Sequence, residues 1–328
     1  MKIIAEVGSN WRKEADIYHS IVKAKECGAD AVKFQLLTAL ELYGSEAYGE
    51  HMHDQYINPE WLPTMASLCK EVGIEFMCTA FSSGGYTVVE PFVKTHKIAS
   101  AELTDPTILN RVNSFGKPVY LSTGGSDFNE ISQALGHLKG CAVTIMFCVA
   151  DYPAKIVDFR HLELLKERFG GGYRYGYSDH STDALNIPRI AKNRGCEVIE
   201  KHVNFITHSH TPDAGHSLDE VEFSLMVKML RGKEASPVVT DKMTNTEMRR
   251  LHKRRLVATR SIEVGEEFRL GYNIGFFRPR SIRNQGEFAS TFRPWDVADK
   301  RSSVSLTMGQ PILMSDVEEV EVRVEAGA

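Results

Sequence analysis

At 328 residues the chain has room for one large domain and a small one, or for two medium ones. Hydrophobic residues make up 42% and charged residues 25%, ordinary for a globular protein, and a formal charge of -4 argues against a nucleic-acid surface, which carries a basic excess. Residues 1–6 hold no long apolar run, so neither a signal peptide nor a transmembrane helix is expected, and the reading is a cytoplasmic protein with no membrane partner.

Short β-branched runs alternate with amphipathic stretches along most of the chain. Residues 3–7 read as a strand and 14–27 as a helix, and 31–34 with 59–72 repeats the pair. The alternation continues through 74–79 and a stretch ending near 94, 96–100 and 106–115, 118–123 and 128–138, and 143–149 and 159–169. It closes with 173–178 and 184–194, then 198–203 and 218–230. Strand-helix repetition predicts a parallel sheet. Eight units in about 230 residues fit a closed (β/α)8 barrel better than an open doubly wound sheet. Gly28, Gly73 and Gly195 each follow a helical stretch directly, where a left-handed cap is required before the next strand.

After Gly232 the pattern changes. The barrel is assigned residues 1–232, a polar linker 233–247, and a small mostly-β domain 248–328. The six cysteines form no CxxC pair and mostly sit in apolar runs, so buried free thiols are expected rather than disulfides or a zinc site.

Barrel chemistry gathers where strands end. At those ends the sequence places Glu6 and Asn10, Lys33 and Gln35, Thr79 and Ser82, Lys97, Ser100 and Glu102, and Ser122 and Thr123. Asp151 and Tyr152 follow, then Ser178, Asp179 and His180, and Glu200, Lys201 and His202. Lysines inside strands are costly without partners. Lys33 and Lys97 with several hydroxyls suit a multiply charged anion such as a phosphate plus a carboxylate. No glycine-rich phosphate loop occurs, so no nucleotide cofactor is expected. His180 and His202 end adjacent proposed strands and suit a divalent transition ion acting as a Lewis acid. The alternative is a hydrogen-bonded structural role, and His208, His210 and His216 are rival ligands.

Several stretches together resemble the sialic acid synthase family, whose members make N-acetylneuraminic, legionaminic or pseudaminic acid. They are Ala5-Glu6-Val7-Gly8-Ser9-Asn10, Gly28-Ala29-Asp30-Ala31-Val32-Lys33-Phe34-Gln35, Lys97-Ile98-Ala99-Ser100-Ala101-Glu102 and Leu121-Ser122-Thr123-Gly124. Tyr152-Pro153, Gly176-Tyr177-Ser178-Asp179-His180-Ser181 and Val198-Ile199-Glu200-Lys201-His202 continue the match. From Arg255 the chain resembles an antifreeze-like (SAF, β-clip) domain. Order and spacing make the match specific where no one motif would be.

The resemblance implies roles. Lys33, Thr79, Lys97, Ser100, Ser122 and Ser178 would hold phosphoenolpyruvate, and His180 and His202 a divalent ion: Mn2+, with Mg2+ or Co2+ as alternatives. Glu102 would be the acid/base carboxylate, with Lys33 and Lys97 stabilising charge. Gln35, Tyr152 and Asp213 would contact an amino-sugar aldehyde. Arg278 would reach a partner subunit's site in a homodimer with exchanged C-terminal domains. Trp11, Ala150, the His210-Thr211-Pro212 run and Arg280 depart from the family pattern and leave the sugar unspecified. Two other readings stay open: a Schiff-base aldolase using Lys33 or Lys97, and a catalytically inactive carbohydrate-binding homologue.

Overall fold

A computed structural model describes residues 1–44, 56–206, 211–232, 254–279 and 288–318. Eight parallel strands form its centre: β1 (Lys2–Gly8), β2 (Ala31–Leu36), β3 (Glu75–Ala80), β4 (His96–Ile98), β5 (Val119–Ser122), β6 (Val143–Cys148), β7 (Arg174–Asp179) and β8 (Val198–His202). Hydrogen-bonded neighbours run β3-β2-β1-β8-β7-β6-β5-β4, and β3 and β4 pack side by side to bring the sheet round into a nearly closed barrel. The expected barrel is therefore the observed one.

These strands read as nearly unbroken buried runs because both faces are covered. Outside, they pack on the helices α1 (Glu14–Glu26), α3 (Leu62–Val72), α4 (Ser83–Val89), α5 (Pro106–Phe115), α6 (Phe128–His137), α7 (Arg160–Phe169), α8 (Asn186–Asn193) and α9 (Glu220–Arg231), while the short α2 (Ala39–Tyr43) packs its Leu42 with Leu37 and Phe81 beyond the ends of β2 and β3. Inside, Ile4, Ala31, Met77, Tyr120, Met146 and Val198 fill the barrel as an apolar layer. That layer leaves the strand C-termini as the end open to polar groups.

The caps explain why boundaries were readable. Helix α5 matches its expected span because the sequence writes both ends. Asp105 accepts from the Thr107 and Ile108 N–H groups, Pro106 occupies the first turn, and Gly116 closes the helix at φ +67. The short helix α2 was not expected. Its signal was Thr38, whose hydroxyl accepts from Glu41 N while the Glu41 side chain accepts from Thr38 N.

Beyond the barrel, β9 (Arg255–Ala258) pairs antiparallel with β10 (Ile274–Phe277), and β11 (Arg301–Ser302) with β12 (Val317–Glu318). Leu256, Ile262, Phe268, Ile274, Leu306 and Ile312 give this part its own core. The assigned linker at 233–247 and the start of the second domain lie outside the described residues. All six cysteines are free, as expected. Among the described residues no helix is long and apolar enough to cross a membrane.

Candidate active site

Parallel strands with matched registers bring the predicted polar residues to one end of the barrel. Glu6 lies opposite Lys33 on one side and His202 on the other, and Ser178 lies opposite Glu200. There Lys33, Gln35, Thr79, Lys97, Ser100, Ser122, Tyr152, Ser178, His180 and His202 line a single cavity, with Glu6, Glu200 and Cys148 also on its wall.

A compact ion network underlies that wall. Lys33 Nζ is 2.7 Å from Glu6 Oε2 and 3.7 Å from Glu200 Oε1, and donates to Thr79 Oγ1 at 3.1 Å. Lys97 Nζ is 3.2 Å from the same Glu200 oxygen, which also accepts from Ser178 Oγ at 3.2 Å. Gln35 Nε2 donates to Glu6 Oε1 at 2.8 Å. None of the four charged side chains is more than 4% exposed. Burial alone would push the Glu200 carboxyl up. Lys33 first, then Lys97, outweigh it and hold the group down at about 2. Burial would likewise lower Lys33, but Glu200 and then Glu6 raise its ammonium above the ordinary lysine range. The sequence showed the two cations; their counter-ions were among the strand-end residues but carried no assigned role. Charge is balanced, yet an ammonium has three donors, so Lys97 keeps donors for an incoming anion. Ser122 Oγ is buried without a hydrogen-bond partner, and Ser100 Oγ accepts from Gly124 N at 3.0 Å.

The histidines form a second cluster. His180 Nδ1 faces the Val149 carbonyl at 2.8 Å, which commits that nitrogen as the donor and leaves Nε2 free. Burial, then His202, drive the His180 imidazole well below its usual range and keep it neutral. The Tyr152 ring stacks on His180 with centroids 4.1 Å apart. His202 and His216 rings lie 4.6 Å apart, and His202, Asp213 and His216 each bring a ligand atom within 4.8 Å of the others. His202 Nδ1 and His216 Nε2 are buried without partners. Imidazole nitrogens gathered beside a carboxylate are a donor set that fits a divalent ion. His216, one of the rival ligands, thus belongs to the cluster; His208 and His210 lie outside the described residues.

Glu102, Asp213 and Arg278 are not on the cavity wall. Glu102 is fully buried, its Oε1 3.2 Å from Arg278 Nη2, while its Oε2 has no partner. The Arg278 guanidinium sits 5.7 Å from the centre of the Phe81 ring, which does line the cavity. The resemblance sent Arg278 into a partner's site; here it meets Glu102 of its own chain.

One residue of this assembly escaped the sequence reading. Arg254 is buried, donates to the carbonyls of Phe276 at 2.7 Å and Glu41 at 3.1 Å and to that of Phe81, and lies 3.6 Å from Glu102 Oε1. A single guanidinium therefore ties the loops after β2, β3 and β4 to strand β10. In sequence it sits in a Lys253-Arg254-Arg255 run at the end of a polar, charged stretch, with nothing local to single it out.

A barrel with a charged mouth and a small C-terminal β domain defines a class, and comparison with known proteins places the chain within it. The NeuB family model matches residues 20–240, and the chain belongs to that family. It is 34% identical over 292 residues to an uncharacterised protein of Methanocaldococcus jannaschii, covering 84% of each chain. It is 27% identical to the pseudaminic acid synthase of Helicobacter pylori, covering 97% of this chain and 98% of that one. Among solved structures, the spore coat polysaccharide biosynthesis protein SpsE of Bacillus subtilis superposes with a TM-score of 0.80 at 26% identity, over 98% of this chain and 96% of that one.

Burial, not distance, sets the worth of the ion pairs. Lys33→Met is expected to cost about 3–5 kcal/mol, because Glu6 would be left as an uncompensated buried charge. Lys2→Met breaks a pair of nearly equal length, 2.8 Å to Glu75, but one whose side chains are 23% and 21% exposed. It should cost about 1 kcal/mol or less. Denaturant unfolding of both variants checks the contrast, and equal losses would contradict it.

Proposed function

We propose that this chain condenses phosphoenolpyruvate with an N-acylated amino-sugar aldehyde, giving a sialic-acid-type 3-deoxy-2-keto acid and free phosphate. The observation that supports this most is the convergence of two buried lysines, a set of hydroxyls and two histidines on one cavity wall. Membership of the NeuB family adds to it.

Lys33, Thr79, Lys97, Ser100, Ser122 and Ser178 bind the phosphate and carboxylate of phosphoenolpyruvate in this reading. His180 and His202 hold a divalent ion, Mn2+ in our assignment with Mg2+ or Co2+ as alternatives, which when bound supplies Lewis-acid polarisation of the aldehyde. Gln35 and Tyr152 orient the sugar from the cavity wall, and Asp213 and Arg278 approach it from beside that wall. The enol carbon C3 attacks the aldehyde carbon, forming the new C–C bond as the carbonyl π bond opens, and the aldehyde oxygen takes a proton from water to become a hydroxyl. Positive charge then develops at C2, where water adds. Glu102, with one carboxylate oxygen unpartnered, takes the proton of that water. The tetrahedral adduct expels phosphate, and C2 becomes the ketone. The lysine ammoniums stabilise the anionic groups throughout.

A Schiff-base aldolase would need a lysine that releases its proton. Lys33 is held protonated by Glu200 and Glu6, and Lys97 is paired to Glu200, so neither is suited to that chemistry. A catalytically inactive homologue would release no phosphate.

The proposal fixes which bond breaks. Because water attacks carbon, a heavy-oxygen label at the C–O–P bridge of phosphoenolpyruvate should appear in the released phosphate. Unlabelled phosphate would mean P–O cleavage and a different reaction.

The functional form in this reading is a cytoplasmic homodimer that exchanges C-terminal domains. The contact between Arg278 and Glu102 would then form between subunits, through residues 233–253 that lie outside the described part. Arg278→Ala and Glu102→Ala should each lose most turnover, and subunit exchange between them should restore activity through the one intact site of each heterodimer. Verified heterodimers that stay inactive would rule the exchange out.

A further inference from the structure

The sugar contact assigned to Asp213 by resemblance leaves its surroundings unexplained. Its carboxylate does not line the cavity. Asp213 Oδ2 accepts from the Ser9 backbone N–H at 3.0 Å and lies 3.5 Å from His202 Nδ1, and its Oδ1 lies 3.8 Å from His216 Nε2. The chain makes deliberate room for it. A Cβ on Gly8 would fall 2.2 Å from that same Oδ2, and Gly8 also sits at φ +56, where a side chain is strained.

We propose that Asp213 is a positioning residue for His202: it takes the Nδ1–H, fixes the ring's tautomer and angle, and leaves Nε2 as the bare nitrogen turned to the cavity. This rests on the reading in which His202 holds the divalent ion, and it gives both histidines one design. His180 is committed through Nδ1 to the Val149 carbonyl and keeps Nε2 for a ligand. Among the described residues no backbone carbonyl takes that place for His202, its Nδ1 is buried and unpartnered, and the carboxylate beside it is the acceptor that completes it. Imidazole ligands are commonly oriented in this way by a carboxylate or carbonyl on the second nitrogen. Direct ligation of the ion by Asp213 and His216 through His202 Nδ1 is the competing arrangement. It is disfavoured because His180 and His202 face the cavity where substrate must bind, while Asp213 and His216 do not.

The test reads the tautomer first, in the full-length, metal-free protein. Nitrogen-15 NMR of the imidazoles should show His202 as the Nδ1–H form, and Asp213→Ala should convert it or mix the two forms. Gly8→Ala should do the same without removing any polar side chain, since its Cβ displaces Asp213. Mn2+ affinity, followed by the paramagnetic signal of the free ion, should fall about 10–100-fold in both variants, with Asp213→Asn in between because its amide oxygen still accepts. A bare Nδ1 on His202 in the unmutated protein would overturn the proposal in favour of direct ligation. So would a rise in KM for the aldehyde in Asp213→Ala with tautomer and Mn2+ affinity unchanged. If an Asp213 variant melts early, the unmutated protein's tautomer still decides. Failure of the unmutated protein to bind Mn2+ counts against the metal reading alone, because the tautomer is read without metal.

Discussion

Two ammoniums cannot share the inside of a barrel without an anion between them, and Glu200 is that anion. Its Oε1 lies within 3.2 Å of Lys97 and 3.7 Å of Lys33, and Ser178 donates to it from the neighbouring strand. Removing either charge type alone would leave the other uncompensated in a low-dielectric interior. The network therefore fixes both lysine tips and the strands that carry them, and every other feature of the cavity is arranged around it. Glu6, on the strand between those of Lys33 and Glu200, is a second anion for Lys33, and Gln35 anchors Glu6 in turn.

The C-terminal part is bound to this centre by guanidinium chemistry. Arg254 satisfies carbonyls from the barrel loops and from strand β10, and its own backbone is held at Ala101 and Thr104. Arg278 then emerges from the end of β10 against Glu102. A rigid planar fork with several donors can join loops of different origin in a way a lysine cannot. The site is thus assembled from strand ends that the barrel positions and from one arginine-rich segment that the second part brings.

Much of this was legible in the sequence for a physical reason. A parallel barrel is written locally: apolar runs for strands, amphipathic turns for helices, Asp-Pro and Gly at the ends of α5. The strand-end rule then places Lys33, Lys97, His180 and His202 on one face from chain order alone. Pairing across strands is not local. That Glu200 neutralises both lysines depends on registers and side-chain reach, and a glutamate beside Lys201 could equally have paired in sequence; in fact Lys201 pairs with Asp179 at 2.8 Å. Arg254 was hidden at the end of a polar, charged stretch that carried no assigned role. The short helix α2 was passed over although Thr38 and Glu41 spell its cap, because a five-residue element carries too little periodicity to register. For Asp213 the resemblance implied a sugar contact, and the surrounding atoms add what its carboxylate faces: the Ser9 N–H, His202 and His216.

If the lysine pair and the histidine pair serve one carbon–carbon bond-forming reaction, as proposed, the purified protein incubated with Mn2+, phosphoenolpyruvate and a panel of N-acylated hexosamine aldehydes will give a product that mass spectrometry can weigh. One acceptor should be enlarged by a single pyruvic acid unit, with one phosphate released for each product formed. Pyruvate and phosphate appearing with every acceptor left unchanged would contradict the proposal.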